Sequence, residues 1–438
     1  MRQIHTERTF LNMAGKYSCQ TVRLVAHMDG AVDEEMLKEA VYATRKRYPY
    51  LCVRLCIVLD AQGAERYAYE DNPLPWVLTR GQQQIALLGE ASNNHLIAFA
   101  WWDDCIALDF FYSLTDGTGA YRVLRTLLYE YCRRHYDRSL SPEGIMVAGD
   151  VIDEAEYTDP ATLPRPEKLF QQPATEKPQT LNLYADALSP LRQDKKEAVH
   201  IVVAEEQLMK QVHGCGASPA SWFAIVLARV VSSLHPDGGT PTVSLAVNLR
   251  KGTGTPQAHH PMVGAIYLPL RKDMLDWTLS EQTAEFRRMI AQQTSSDNLQ
   301  AYYWSLQDQM NQLEQVPSSA TRHELLTQAH AMMRQAASFT VSYVGKAAMG
   351  AAERYIREIR TEGNSPLALL VEVSAAGGTF CISFIQQFAT DVYLDAFLNE
   401  LGRMGLSYEI VARHPLSTAP IEDFRKNSKM EKQIHRRK

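Results

Sequence analysis

The chain has 438 residues, with 45 lysines and arginines against 50 aspartates and glutamates, a formal net charge of −5. That balance gives no basic excess of the kind that holds nucleic acid. Hydrophobic residues make up 45% and charged residues 22%, ordinary for a globular protein with room for two or three domains or one large two-lobed body.

No run of about 18 uncharged apolar residues is present, so a membrane-spanning helix is not expected. The start, Met1 to His5, lacks the apolar core of a signal peptide, and a cytoplasmic location is expected. The seven cysteines, Cys19, Cys52, Cys56, Cys105, Cys132, Cys215 and Cys381, are scattered and lack zinc-ligand spacing. They read as reduced thiols, and no metal site is expected.

In chain order, Val22 to Met28 reads as a strand turned by Asp29-Gly30. Asp33 caps a helix whose inner face carries Met36, Leu37, Ala40, Val41 and Thr44. Tyr48-Pro49 stops it, and Leu51 to Leu59 is again a strand. Leu96 to Trp102 and Cys105 to Tyr112 form a hairpin across Asp103-Asp104. His27 reads as a core or edge residue of the first strand.

The stretch Ile106 to Gly119 is the most informative. Ile106, Leu108, Phe110 and Tyr112 alternate as a strand, and Asp116-Gly117 marks a turn. Ala120, Val123, Leu124, Leu127, Leu128 and Tyr131 then recur at helical spacing. A strand thus delivers a short loop that opens a helix, a favoured place for chemistry.

From about residue 149 to 198 the pattern fades into acidic and proline-rich sequence, which reads as a linker or crossover. The expected division is an N-terminal lobe over 1–148, this crossover over 149–198, a C-terminal lobe over 199–422, and a basic, disordered tail over 423–438. Val199 to Ala204 opens the second lobe as a strand, followed by a short helix. Ser218-Pro219 starts a largely buried helix running to Leu234. Strands are expected at Thr242 to Asn248, Met262 to Leu270, Ser338 to Val344, Leu367 to Ser374 and Thr379 to Gln386. Three helices lie between residues 280 and 333. Asp391 to Met404 is the last amphipathic helix, and Ser407 to Ala412 the last strand.

The loop Phe111-Tyr112-x-x-x-Asp116-Gly117 resembles the His-His-x-x-x-Asp-Gly signature of the CoA-dependent acyltransferase superfamily. That superfamily includes chloramphenicol acetyltransferase, peptide-synthetase condensation domains and alcohol acetyltransferases. Tyr112 occupies the place of the second histidine, the family's general base. The strand Thr242 to Arg250 resembles the family's Val-Asn-Leu-Arg strand, and Val341-Ser342-Tyr343-Val344-Gly345 its Ser-Asn-x-Gly strand end, with Tyr343 where asparagine is usual.

The resemblance implies an α/β fold of two chloramphenicol-acetyltransferase-like lobes, each a mixed sheet with flanking helices, around a central tunnel. It implies acyl-CoA as co-substrate, a small hydroxyl or amine acceptor, and no bound cofactor or metal. It implies that Asp116 pairs with Arg250 to shape the loop, and that Tyr112, Asp116, Gly117, Ser342 and Tyr343 border the tunnel. His259-His260 lies in a loop that in the family runs beside the tunnel. One of the two can supply a displaced base, since adjacent residues point to different sides of an extended chain.

A phenol with an ordinary pKa of about 10 is a weak base at neutral pH unless a cation lowers that value. The sequence therefore supports an acyltransferase of the alcohol acetyltransferase type with an altered active site. The second reading is a catalytically silent binding or scaffold protein with the same tunnel, and a further alternative, for which only Tyr112 speaks, is an isomerase or cyclase using that phenol as an acid.

Overall fold

Strand Cys105–Phe111 is buried at every position and pairs antiparallel with Thr21–Met28 on one side and Ile97–Trp102 on the other. A computed structural model of the chain describes residues 2–15, 20–170, 179–186, 188–192, 196–363 and 367–416. The expected basic tail over 423–438 lies outside the described residues, as does part of the proline-rich crossover.

The first sheet has five strands, in the order Ile356–Gly363, Thr21–Met28, Cys105–Phe111, Ile97–Trp102 and Leu78–Arg80. Helices Glu34–Arg47 and Gly117–His135 share its core. Asp33 caps the first of these by accepting from the Met36 amide, Glu34 and Glu35 begin it, and Arg45, Lys46 and Arg47 end it. This is the charge order that the helix dipole favours. A small sheet of Arg2–Gln3, Glu65–Asp71 and Val53–Leu59 lies alongside.

The second sheet has seven strands, in the order Val263–Pro269, Thr242–Asn248, Phe339–Lys346, Leu369–Ala376, Thr379–Gln386, Glu197–Ala204 and Tyr408–Pro415. Phe339–Lys346 runs parallel to both neighbours, and the other pairs are antiparallel. Helix Pro219–Leu234, opened by a Ser218–Ser221 capping box, is buried over most of its surface in this lobe's core. The apolar composition that marked it as internal reflects that burial.

The molecule is thus a two-lobed α/β structure. One strand departs from the division expected from the sequence. Ile356–Gly363 leaves the C-terminal half of the chain and completes the edge of the N-terminal sheet, antiparallel to Thr21–Met28. Its charged residues, Arg357, Glu358, Arg360 and Glu362, hide it from apolar-periodicity reading. Among the described residues no single helix is long and apolar enough to cross a membrane.

Candidate active site

A buried strand ends at Phe111, and Tyr112 is the first residue past it. Residues 112–116 then turn, and Asp116 caps helix Gly117–His135 by accepting from the Gly119 amide at 3.1 Å. The turn is tight. A Cβ on Gly117 would lie 2.8 Å from Val344 Cγ2 of the second lobe, and one on Gly119 would collide with Thr115 Oγ1 of the turn itself, with the His259 carbonyl oxygen at 3.1 Å. Gly117 is thus set by close approach of the second lobe, and Gly119 mainly by the turn's own Thr115.

Asp116 is 2% exposed and Arg250 is 3% exposed. Arg250 donates to Asp116 through both terminal nitrogens, Nη1 to Oδ2 at 2.8 Å and Nη2 to Oδ1 at 2.9 Å. The Met262 amide donates to Oδ2 as well, at 2.9 Å. Arg250 also donates to the carbonyls of Ala258 and His260, each at 2.8 Å. The carboxylate is thus saturated by a bidentate cation and two amides. It has no free lone pair for a substrate proton, so its role is to hold the loop rather than to act as a catalytic group.

Above this clamp lies a cavity of about 110 Å³ between the two sheets. Val22, Leu24 and Phe110 come to it from the first sheet, and Ala246, Ser342 and Glu372 from the second. Tyr112, Gly117 and Tyr343 line it as well. Tyr112 packs its ring against Phe10 at 4.8 Å and Phe110 at 6.2 Å between centroids. Burial holds its hydroxyl well above the ordinary phenol value, and the negative charges of Asp116 and Glu372 add to this against the opposing Arg250. The phenol is therefore a neutral hydrogen-bond donor, not a base.

Glu372 is a candidate functional side chain that sequence reading missed. It stands opposite Ser342 on the neighbouring parallel strand, so both side chains project from the same face of the sheet. Its Oε2 is buried without a hydrogen bond. Burial, together with the charge of Glu362, pushes its carboxyl up to about 7, with Lys196 pulling the other way. A carboxyl with that value exchanges a proton readily at neutral pH. The signal was present: one glutamate inside the otherwise buried run Leu369–Ala376 is unusual unless it has a task. Spacing could not tell which strand would lie beside it.

His259 and His260 do not line this cavity, contrary to the expectation that one of them reaches the tunnel. Both are buried, at 3% and 1% exposure. His259 Nδ1 donates to the Glu156 carbonyl at 2.9 Å, and burial holds its pKa well below the ordinary value. His260 Nδ1 lies 2.6 Å from Glu7 Oε1. Burial opposes the charged form of His260, but Glu7 and Asp159 outweigh it and raise the pKa. The two rings pack at 4.1 Å between centroids, committed to neighbouring chain.

A second, larger cavity of about 320 Å³ adjoins the first through the shared residue Val263. Phe10, which packs on Tyr112, is in its wall together with Leu249, Tyr302, Leu306 and Met310. The lining is mostly apolar.

No family model matches the sequence. No curated protein sequence matches it either. Solved structures do. TRI101 of F. graminearum, complexed with coenzyme A and T-2 mycotoxin, superposes with a TM-score of 0.59 at 12% identity, over 93% of this chain and 99% of that one. The first condensation domain of the CDA synthetase gives 0.57 at 12% identity, over 95% and 99%. Polyketide synthase associated protein 5 from Mycobacterium tuberculosis gives 0.56 at 13%, over 91% and 97%. Two sheets facing across a buried seam, with one strand exchanged between them, thus form the chloramphenicol-acetyltransferase-like fold of these acyltransferases and condensation domains.

Proposed function

We propose that the protein transfers an acyl group from coenzyme A to a hydroxyl or amine acceptor, with Glu372 serving as the base that the family draws from histidine. The observation that carries this reading is the juxtaposition of Glu372, Tyr112 and Ser342 on one buried cavity beside the Asp116–Arg250 clamp. The coenzyme A bound in TRI101, which has the same fold, supports CoA as the acyl carrier.

In this reading the acceptor oxygen or nitrogen attacks the thioester carbonyl carbon while its proton passes to Glu372. The neutral Tyr112 hydroxyl donates a hydrogen bond to the developing oxyanion, assisted by Ser342. The carbon–sulfur bond then breaks, and Glu372 returns the proton to the departing thiolate. The cavity volume suits a short acyl chain, and the adjoining apolar cavity suits an acceptor with a hydrophobic body.

Chromatographic detection of free CoA tests this, with a panel of acyl-CoAs and mixed alcohols and amines; it avoids thiol reagents that the cysteines would consume. Release by the unaltered protein, lost in Glu372→Gln, is the expected result. The second reading is a binding protein that keeps the cavities without turnover. It is favoured by the lack of any imidazole in the lining of the smaller cavity. Turnover only by a Tyr112→His variant would support that second reading.

A further inference from the structure

Three residues far apart in sequence meet at the other end of the same sheet. His200 lies on strand Glu197–Ala204, His414 on the edge strand Tyr408–Pro415, and Glu362 on the exchanged strand Ile356–Gly363. Glu362 Oε1 is 3.1 Å from His414 Nε2 and 3.3 Å from His200 Nε2. The three candidate ligand atoms all fall within 4.8 Å of one another. Bonds of about 2.0–2.2 Å to a tetrahedral ion place ligand atoms roughly 3.3 Å apart, so the two histidine-to-Glu362 separations already have that spacing.

The surroundings favour an ion over a simple hydrogen-bonded group. His200 has no exposed surface, and its Nε2 faces the Glu362 carboxylate oxygen at 3.3 Å, the long end of hydrogen-bond range. Its Nδ1 is held by Ser383 Oγ at 2.9 Å. A hydrogen bond that fixes Nδ1 and leaves Nε2 available as the ligand atom is the outer-shell arrangement of metal-bound histidine. Glu362 and His414 open onto a cavity of about 370 Å³, while His200 closes the back. Arg360 reaches the same cavity, but Glu358 engages its guanidinium at 2.6 Å. Arg23 there is likewise paired with Asp109 at 2.7 Å.

We propose that His200, Glu362 and His414 bind one divalent transition-metal ion, zinc by the donor set, with a fourth position open to the cavity. Two neutral imidazoles and one carboxylate suit zinc, and three protein ligands leave room for a water. The ion would fasten the exchanged strand to the edge of the second sheet. No sequence pattern announces it, because residues 200, 362 and 414 have no ligand spacing and only the strand exchange brings them together.

The test uses untagged full-length protein freed of metal by chelator and dialysis, titrated with zinc chloride in a calorimeter and with cobalt chloride in a spectrophotometer. One equivalent of zinc and the visible absorption of four-coordinate cobalt are expected. His414→Ala and Glu362→Gln should each weaken zinc binding by at least about tenfold. His27→Ala, which disrupts a separate cluster with Asp104 and Cys105, should leave it unchanged. An anomalous zinc signal among the three side chains in crystals of the unaltered protein reads the same site without any substitution. Failure to bind one equivalent, or binding that both variants retain, would overturn the assignment.

Discussion

Glu372 is a carboxyl that loses water when the chain folds, and its pKa rises from 4.5 to about 7 as a result. The linkage sign follows. The folded value lies above the unfolded one, so the protein is not penalised below about pH 4.5 and loses stability as pH rises through 7. At 1.36 kcal/mol per unit the loss has a ceiling of roughly 3 kcal/mol. Glu372→Gln keeps the shape and removes the titration. Urea unfolding across pH 5 to 8 should show the unaltered protein weakening toward pH 8 relative to the variant. Turnover should move oppositely, rising with pH through about 7 in the unaltered protein and falling about 100- to 10,000-fold in the variant. Parallel stability curves for the two proteins would remove Glu372 as the titrating group. A separate expectation concerns the phenol: Tyr112→Phe deletes only the donor, and should lower kcat by about 100- to 1,000-fold with little change in the pH profile. A profile displaced in pH by that substitution would mean that Tyr112 itself carries the proton. The sequence pointed to Tyr112 because its loop is local, with strand, turn and helix cap all within fifteen residues. For Glu372 it offered only a lone glutamate in an apolar strand, because its neighbours Ser342 and Tyr112 arrive from elsewhere in the chain.

Helix Gly117–His135 starts where it does because Asp116 caps it, and that same carboxylate is the contact through which the second lobe grips the loop. Arg250 has few alternatives: besides Asp116 it reaches carbonyls and the Asn248 side chain at 3.2 Å. Removing one partner therefore strands a buried charge. Asp116→Ala should destabilise the protein by about 3–5 kcal/mol, of which the lost cap contributes about 1. Arg250→Met leaves Asp116 with the Gly119 and Met262 amides, but still a buried anion without its cation. The double variant should lose less than the two single losses added together, by about 0.5–3 kcal/mol. Denaturant midpoints of the four proteins in a double-mutant cycle measure this, and strictly additive losses would mean the pair is not coupled. The pairing itself was legible only through the resemblance, since nothing in the spacing of residues 116 and 250 announces it. The loop histidines show the converse. His259 and His260 look like free loop residues in the sequence, yet Glu156 and Glu7 claim them, and a lone sequence gives no means of foreseeing partners that far away.

The exchanged strand decides how the whole molecule holds together. Ile356–Gly363 is hydrogen-bonded to Thr21–Met28 along the edge of the first sheet. It also touches the second: Ser374 Oγ donates to the Ile359 carbonyl, and Glu362 meets His200 and His414. Broken alternation explains why it escaped sequence reading. Ile356 and Ile359 are buried three residues apart across a register shift, and the residues around them are charged; Glu358 pairs with Arg360 and Glu362 meets the second lobe, while Arg357 is exposed. A lobe boundary drawn along the chain therefore misassigns a strand whose release would bare the edge of Thr21–Met28. Ile359, 1% exposed, gives the cleanest perturbation. Ile359→Ala should cost about 2–5 kcal/mol through the lost burial and the cavity it leaves. Because the strand belongs to both lobes, that loss should lower hydrogen-exchange protection in Cys105–Phe111 and in Leu369–Ala376 together, and unfolding should remain a single transition. If instead the second sheet kept its protection while the first opened, the lobes would be separate cooperative units, and the exchanged strand would be a tether rather than a shared element.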